Sequence, residues 1–306
     1  MRRLPTWAAA AVLPGLLGSL LMIGCSGGGG APKDRGSLDT GKDAKTTGSN
    51  TLEALAATGS GTLKGRVTLD CPEPDLAAEA TYIQGQMKAN ALHGALCLSG
   101  PKDEIDQQKW RVGPNRGLGN VFVWLQPPAG HYFKVGLSKK TWPAEVIIDQ
   151  PHCAFVPRAA VLSPSAYNGE NPKEPISTGQ KLIVKNTAPM NHNVAWKGGD
   201  VNAGDNKVTP SKGQLTIELQ PDPDPVMLHC DMHRWMDGVI RVFDHPYATV
   251  TDKDGRYEIN GVPTGAEVSI VVWHEVGRYG NKGKHGDKVT LKAGENVMPD
   301  YTIRAM

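Results

Sequence analysis

The sequence predicts an all-β protein, and three observations lead there. Strand-length apolar runs recur after residue 60: Val121-Phe122-Val123-Trp124-Leu125, the alternating Leu215-Thr216-Ile217-Glu218-Leu219, and the nearly continuous stretch from Val268 to Trp273. The first is of strand length, the second shows the two-residue period of a strand, and the last fits a strand buried on both faces. Turn formers are abundant, with 36 Gly and 23 Pro in 306 residues, which favours many short strands over long helices. One modest helix candidate, Asp75 to Ala89, is interrupted by Gly85 and lacks a clear apolar stripe. Hydrophobic residues at 39% suffice for buried cores, and the length allows about two domains. A net charge of +2 with both signs interspersed lacks the clustered basic face of a nucleic-acid binder, so no nucleic-acid partner is expected.

Taken in order, the chain opens with Arg2 and Arg3 before an apolar run from Trp7 to Ile23. The run is short for a membrane span and ends in small residues, which predicts an export signal in residues 1–25. Leu21-Met22-Ile23-Gly24-Cys25 resembles a bacterial lipobox, which implies acylation of Cys25 and membrane attachment through that lipid. A plain signal peptide with a spare cysteine is the alternative. Residues 26–60 are mostly Gly, Ser, Thr, Lys and Asp; too little apolar surface is present to offset ordering, so a flexible tether is expected.

Gly61 to Asp70 resembles the opening strand of the carboxypeptidase regulatory-like (transthyretin-like) β-sandwich, and Asn120 to Leu125 its second strand. The remainder of that pattern comes much later, in Thr249 to Ile259, Val262-Pro263-Thr264-Gly265 and Val268 to Trp273. The resemblance implies one sandwich in two pieces, residues 61–126 and 246–306, with residues 127–245 inserted as a second domain. Within the second piece, Asp252-Lys253-Asp254-Gly255 between Ala248-Thr249-Val250 and Tyr257-Glu258-Ile259 reads as a hairpin turn.

The insert carries the chemistry. Cys230-Asp231-Met232-His233-Arg234-Trp235-Met236 places a thiolate, an imidazole and a thioether at three-residue spacing, and Met190-Asn191-His192-Asn193-Val194 supplies a second imidazole upstream. One Cys and two His in a plane with a weak axial Met make a mononuclear copper electron-transfer site. The candidate ligands are therefore His192, Cys230, His233 and Met236. His229, next to Cys230 on a strand, points to the opposite face. The lone C-x-x-H has no second pair at zinc-finger spacing, and C-x-x-C-H for haem attachment is absent.

The loop Cys230-x-x-His233-x-x-Met236 and the segment around His192 resemble amicyanin-type cupredoxins over about residues 145–243. Phe155-Val156-Pro157, Gly179 to Asn186 and Gly238 to Val242 match further strands of that Greek-key sandwich. The resemblance implies one type 1 copper ion and a role for Asn193 in tying the two ligand loops together. It also implies that His233 lies near the surface as the electron exit. Asn191 stands where small blue copper proteins commonly have Pro, which loosens the strand before His192. Trp235 shields the metal, forms part of an apolar docking face, or simply packs.

Three cysteines remain. Cys71 and Cys97 share a loop-rich stretch and are the expected disulfide; Cys153 is a buried thiol, the other disulfide partner, or with His152 part of a second metal site. His245-Pro246 and His274-Glu275 fall at strand ends near the domain junction. The leading functional expectation is an exported, lipid-anchored one-electron carrier with transient redox partners. The alternatives are a copper-binding or delivery protein with copper donors or acceptors as partners, and a non-redox interaction module on a cupredoxin scaffold. Without a nucleophile–base pair, a phosphate loop or a second metal set, no enzyme is expected.

Overall fold

The apolar runs become strands, and which faces they bury explains their pattern. The computed structural model describes residues 52–70, 72–137, 142–171 and 173–305. Cys25, the export and anchoring signals of residues 1–25, the tether up to Thr51, and Cys71 lie outside the described residues. In chain order, β1 (Gly59–Asp70) leads into α1 (Leu76–Ala89), α2 (Gly94–Cys97) and α3 (Lys102–Ile105), then β2 (Phe122–Gln126). Next come β3 (Glu145–Asp149), β4 (Ala159–Leu162), β5 (Lys181–Lys185), β6 (His192–Lys197), β7 (Asp205–Thr209), β8 (Gln214–Ile217), β9 (Val226–His229) and β10 (Asp237–Val242). They are followed by β11 (Ala248–Val250), β12 (Arg256–Thr264), β13 (Glu267–His274), β14 (Asp287–Thr290), β15 (Gly294–Val297) and β16 (Tyr301–Arg304). The fold is all-β, as expected.

Residues 145–242 build two sheets of their own, β7-β6-β9-β10-β4 and β8-β5-β3. The pairs β10–β4 and β5–β3 are parallel and the rest antiparallel. Both sheets contribute to one core that includes Ile148, Leu182, Val184, Val194, Leu228 and Ile240. Strands from either side of this segment pair with each other: β1 with β12, β15 and β16, and β2 with β11 and β13.

The nearly continuous runs of β2 and β13 are each buried twice. Val123, Leu125, Ile270 and Val272 face the core shared with β1 and β12. Phe122, Trp124, Val271 and Trp273 face the other way, against Ala159 of β4, Val239 of β10 and the adjacent Phe243. The Arg241 guanidinium lies 4.7 Å from the Trp124 ring centre and 5.5 Å from that of Trp273. A buried cation is thus set against aromatic faces where the two sets of sheets meet.

Several expectations are corrected. The segment Asp252 to Gly255 turns the chain, but it joins no hairpin, because β11 pairs with β2 and β12 with β1 in different sheets. Gly255 has φ +79°, and a Cβ there would lie 2.2 Å from the Val67 carbonyl oxygen, so the crossing is built on close backbone approach. The tether ends before Ser60: Glu53–Ala54 pairs in parallel with His131–Tyr132, and Leu55 packs on the sandwich core. Phe155 to Pro157 is not a strand; Val156 makes a single bridge to Asp149 and the strand begins at Ala159.

The helix forms with a narrow buried face. Asp75 caps it by accepting from the Ala78 N–H at 2.9 Å, and its buried residues are Ile83 and Met87, four apart. These two, with Leu96, Leu98 and Ile105, pack onto the core of residues 145–242.

Candidate metal centre

The upstream ligand is set by a clamp on the turn before β6. Buried Asn186 donates from Nδ2 to the carbonyls of Met190 and Thr209, both at 2.8 Å. Asn191 accepts from the Ser211 N–H at 3.0 Å, which holds the strand entry that a proline would otherwise stiffen. His192 then begins β6 with its ring fully buried.

The other three candidates follow β9. One compact turn joins β9 to β10: the His233 N–H donates to the Cys230 carbonyl at 3.2 Å and the Met236 N–H to that of His233 at 2.8 Å. The Cys230 N–H closes it on the Met236 carbonyl at 3.2 Å. Cys230, His233 and Met236 are all buried within this turn. Trp235 is half-buried, its ring centre 5.4 Å from that of His233.

The donors converge. Cys230 Sγ lies 3.9 Å from His192 Nδ1 and 3.7 Å from His233 Nδ1. A first-row ion ~2.0–2.3 Å from imidazole and thiolate donors, at trigonal or tetrahedral angles, sets such donors ~3.6–3.8 Å apart. The side chains are therefore spaced to share one ion without backbone movement, and the donor set fits copper. A second convergence, Cys97, Cys153 and His233, offers no thiolate, because its two sulfurs are bonded to each other.

Asn193 ties the two ligand segments. Its Oδ1 accepts from the Cys230 thiol at 3.2 Å and from the Met232 N–H at 3.3 Å, while Nδ2 donates to Asn206 at 2.8 Å and to Asp231 at 3.2 Å. His229 points away, exposed and paired with Asp231 at 3.2 Å. Electrostatics prepare the donors. Burial lowers His192 and His233 to about 4 each, with neighbouring imidazoles adding to the effect on His233, so both rings are neutral at physiological pH. Burial raises the Cys230 thiol, and backbone N–H groups of Asn193, His233 and Met232 oppose that rise.

Two sequence expectations fail here. Cys97 is bonded to Cys153 and not to Cys71. The reason is topological: α2 folds back onto the turn after β3, which brings together cysteines 56 residues apart. His233 is not a surface ligand; it is 0% exposed, and its Nε2 lies 3.1 Å from Nδ1 of His93. Sequence reading missed His93. Its only signal was its place four residues before Cys97, and nothing local connects it to a residue 140 positions away.

No family model matches the sequence, and no curated protein matches it. Among solved structures, amicyanin from Paracoccus versutus (Thiobacillus versutus) aligns at 17% identity over 35% of this chain and 89% of its own, with TM-score 0.25. A mutant of amicyanin in its Cu(I) form aligns at 13% over 33% and 84%, TM-score 0.25. A purple cupredoxin from Nitrosopumilus maritimus aligns at 11% over 32% and 98%, TM-score 0.24. Likeness at this level carries no functional weight.

Proposed function

We propose that this chain is an exported, lipid-anchored protein that holds one type 1 copper ion through His192, Cys230, His233 and Met236 and carries single electrons. The observation that supports it is the convergence of His192 Nδ1, Cys230 Sγ and His233 Nδ1 in a buried site, with Met236 buried in the same turn. Copper, when bound, supplies reversible one-electron chemistry.

The chain's own residues supply everything else. Burial keeps both imidazoles unprotonated, so neither must lose a proton to act as a donor. Asn193 couples the β6 ligand to the Cys230 turn, which resists separation of the two segments. The donors sit at one end of the sheet β7-β6-β9-β10-β4, on the start of β6 and the turn between β9 and β10, and rigid placement there limits rearrangement between redox states. The Cys97–Cys153 disulfide supports export, since such bonds persist in oxidising compartments, and Leu21 to Cys25 supports the anchor. Partners are transient redox proteins that dock weakly, and no catalytic role is assigned.

Copper delivery is the second reading. Met232, 41% exposed in the ligand turn, is a soft donor suited to passing Cu(I). The closed environment of His233 favours retention over release.

The deciding measurement is metal content with a visible spectrum on the purified chain, titrated with Cu(II). One copper per chain and an intense thiolate-to-copper band that bleaches on reduction is the expected result. A colourless chain holding zinc or nothing overturns the proposal. Rapid loss of copper to a Cu(I) chelator would favour delivery over electron carriage.

A further inference from the structure

A residue far away in sequence closes the outer edge of the loop ligand. His93 lies between α1 and α2, its backbone N–H donating to Asn90 Oδ1 at 2.9 Å. The next residue must be small: a Cβ on Gly94 would lie 2.3 Å from the Met87 carbonyl oxygen, so a side chain there would push α2 and His93 outward. His93 is half-buried, and its ring meets that of His233 with centres 5.1 Å apart and planes at 50°.

The helical segment is fixed in three ways. Ile83 and Met87 bury into the core of the metal-bearing sheets. His152 Nδ1 lies 2.9 Å from the Glu104 carboxylate of α3. Four residues beyond His93, Cys97 is bonded to Cys153, and both sulfurs lie within 4.8 Å of a His233 ring nitrogen. The disulfide thus backs the same imidazole that His93 touches.

Ring chemistry gives the contact a direction. His233 turns Nδ1 toward Cys230 Sγ, so a metal there takes the Nδ1 lone pair and leaves the ring proton on Nε2. His93 Nδ1, 3.1 Å away, is then the acceptor. An acceptor on the far nitrogen of a ligating imidazole fixes its tautomer and orientation and makes it a stronger donor.

We propose that His93 is a positioning residue of the metal centre, held by the Cys97–Cys153 disulfide so that it accepts a hydrogen bond from His233 Nε2 and takes the place of solvent at that edge. The proposal rests on the copper reading above. It moves the outward contact of the loop ligand from His233 to His93.

The test uses the full chain loaded with copper, comparing His93→Leu, which keeps bulk without an acceptor, with His93→Gln, which keeps an acceptor. Both variants should retain one copper and the thiolate band. In His93→Leu the remote-nitrogen coupling of one ligand imidazole, read by pulsed EPR, should change. Its reduction potential should move in the positive direction, because a weaker His233 donor stabilises the oxidised ion less. His93→Gln should reverse both shifts in part. In the metal-free chain, Cys97→Ala/Cys153→Ala should make His233 several-fold faster to react with diethyl pyrocarbonate. Copper-loaded His93→Leu with unchanged coupling and potential would overturn the role of His93. Equal acylation rates would overturn the role of the disulfide. Absence of the thiolate band in the wild-type chain would instead overturn the copper reading itself, a result separable from either.

Discussion

Arg158 and Glu275 form a two-pronged ion pair, Nε to Oε1 at 2.6 Å and Nη2 to Oε2 at 3.0 Å, buried between the start of β4 and the end of β13. Arg158 also donates from Nη1 to the carbonyls of Gln107 and Asp237. Burial alone would push the Glu275 carboxyl up, but the guanidinium beside it holds it below its ordinary value. Arg158→Ala leaves a buried carboxylate unpaired and should cost about 3–5 kcal/mol, whereas replacing both partners by apolar residues should cost far less. Chemical denaturation of the two variants checks this. Equal losses would mean that the pair contributes only packing.

Ligand substitutions separate the donors. Cys230→Ser should abolish the intense visible band, which requires a copper–thiolate bond, while the folded far-UV signal persists. Met236→Leu should leave copper bound and change its potential, as expected of a weak axial donor. An unchanged colour in the first variant would sink the assignment of Cys230. Complete metal loss in the second would show that Met236 is not a weak ligand.

Metal uptake should depend on pH through one proton. At neutral pH the metal-free site holds two neutral imidazoles and a protonated thiol, so metal entry releases the Cys230 proton. The apparent copper affinity should rise about tenfold per pH unit between about pH 5 and neutral, and more steeply below about 4, where imidazole protons compete as well. Competition titrations across this range provide the check. A flat profile would mean that the thiolate exists before metal arrives.

Removing the disulfide should weaken the fold as well as free the helical segment. Cys97→Ala/Cys153→Ala opens a covalent loop spanning 56 residues, and the expected loss is about 2–4 kcal/mol. Thermal denaturation of the metal-free chain measures it. A melting point equal to wild type would mean that packing by Ile83 and Met87 holds the segment unaided.

His274 sets an acid limit. Its Nε2 donates to the Lys109 carbonyl at 3.0 Å, Nδ1 accepts from the N–H groups of Val276 and Gly277, and the ring stacks on Trp110. The neutral ring is fully partnered, and burial lowers it from 6.5 to about 4. As pH falls through 6.5 the unfolded chain gains a proton that the folded chain refuses, so stability declines until about pH 4 and this residue adds no further loss below that. The decline from this residue is on the order of 3 kcal/mol. Urea unfolding of His274→Gln at pH 7 and pH 4.5 should show a shallower pH dependence than wild type; an identical slope would remove His274 from the account.

What the sequence made legible was local. Cys230, His233 and Met236 share one turn, and their spacing speaks for itself; the apolar run around Val123 announced a strand, and the run around Val271 a strand covered on both faces. What it concealed depends on distant parts of the chain. Asp252 to Gly255 has turn chemistry, but whether it joins neighbours or crosses between sheets is decided by β1 and β2. The Asp75–Ala89 helix shows no stripe because only Ile83 and Met87 are buried. His93 and the Cys97–Cys153 bond follow from how that helix lands on the ligand turn, which no spacing within either segment encodes.

The pairing of β1 with β12, β15 and β16 bears on the order in which the molecule is assembled. Leu63 meets Ile259 in one neighbour and Asn296 in another, whereas the sheets of residues 145–242 close on partners within a span of about a hundred residues. As the chain emerges N-terminus first, the sheets of residues 145–242 can therefore complete themselves while β1 still waits for its partners. The flanking strands, whose partners come from both ends of the chain, then pair last, after the donors are in place.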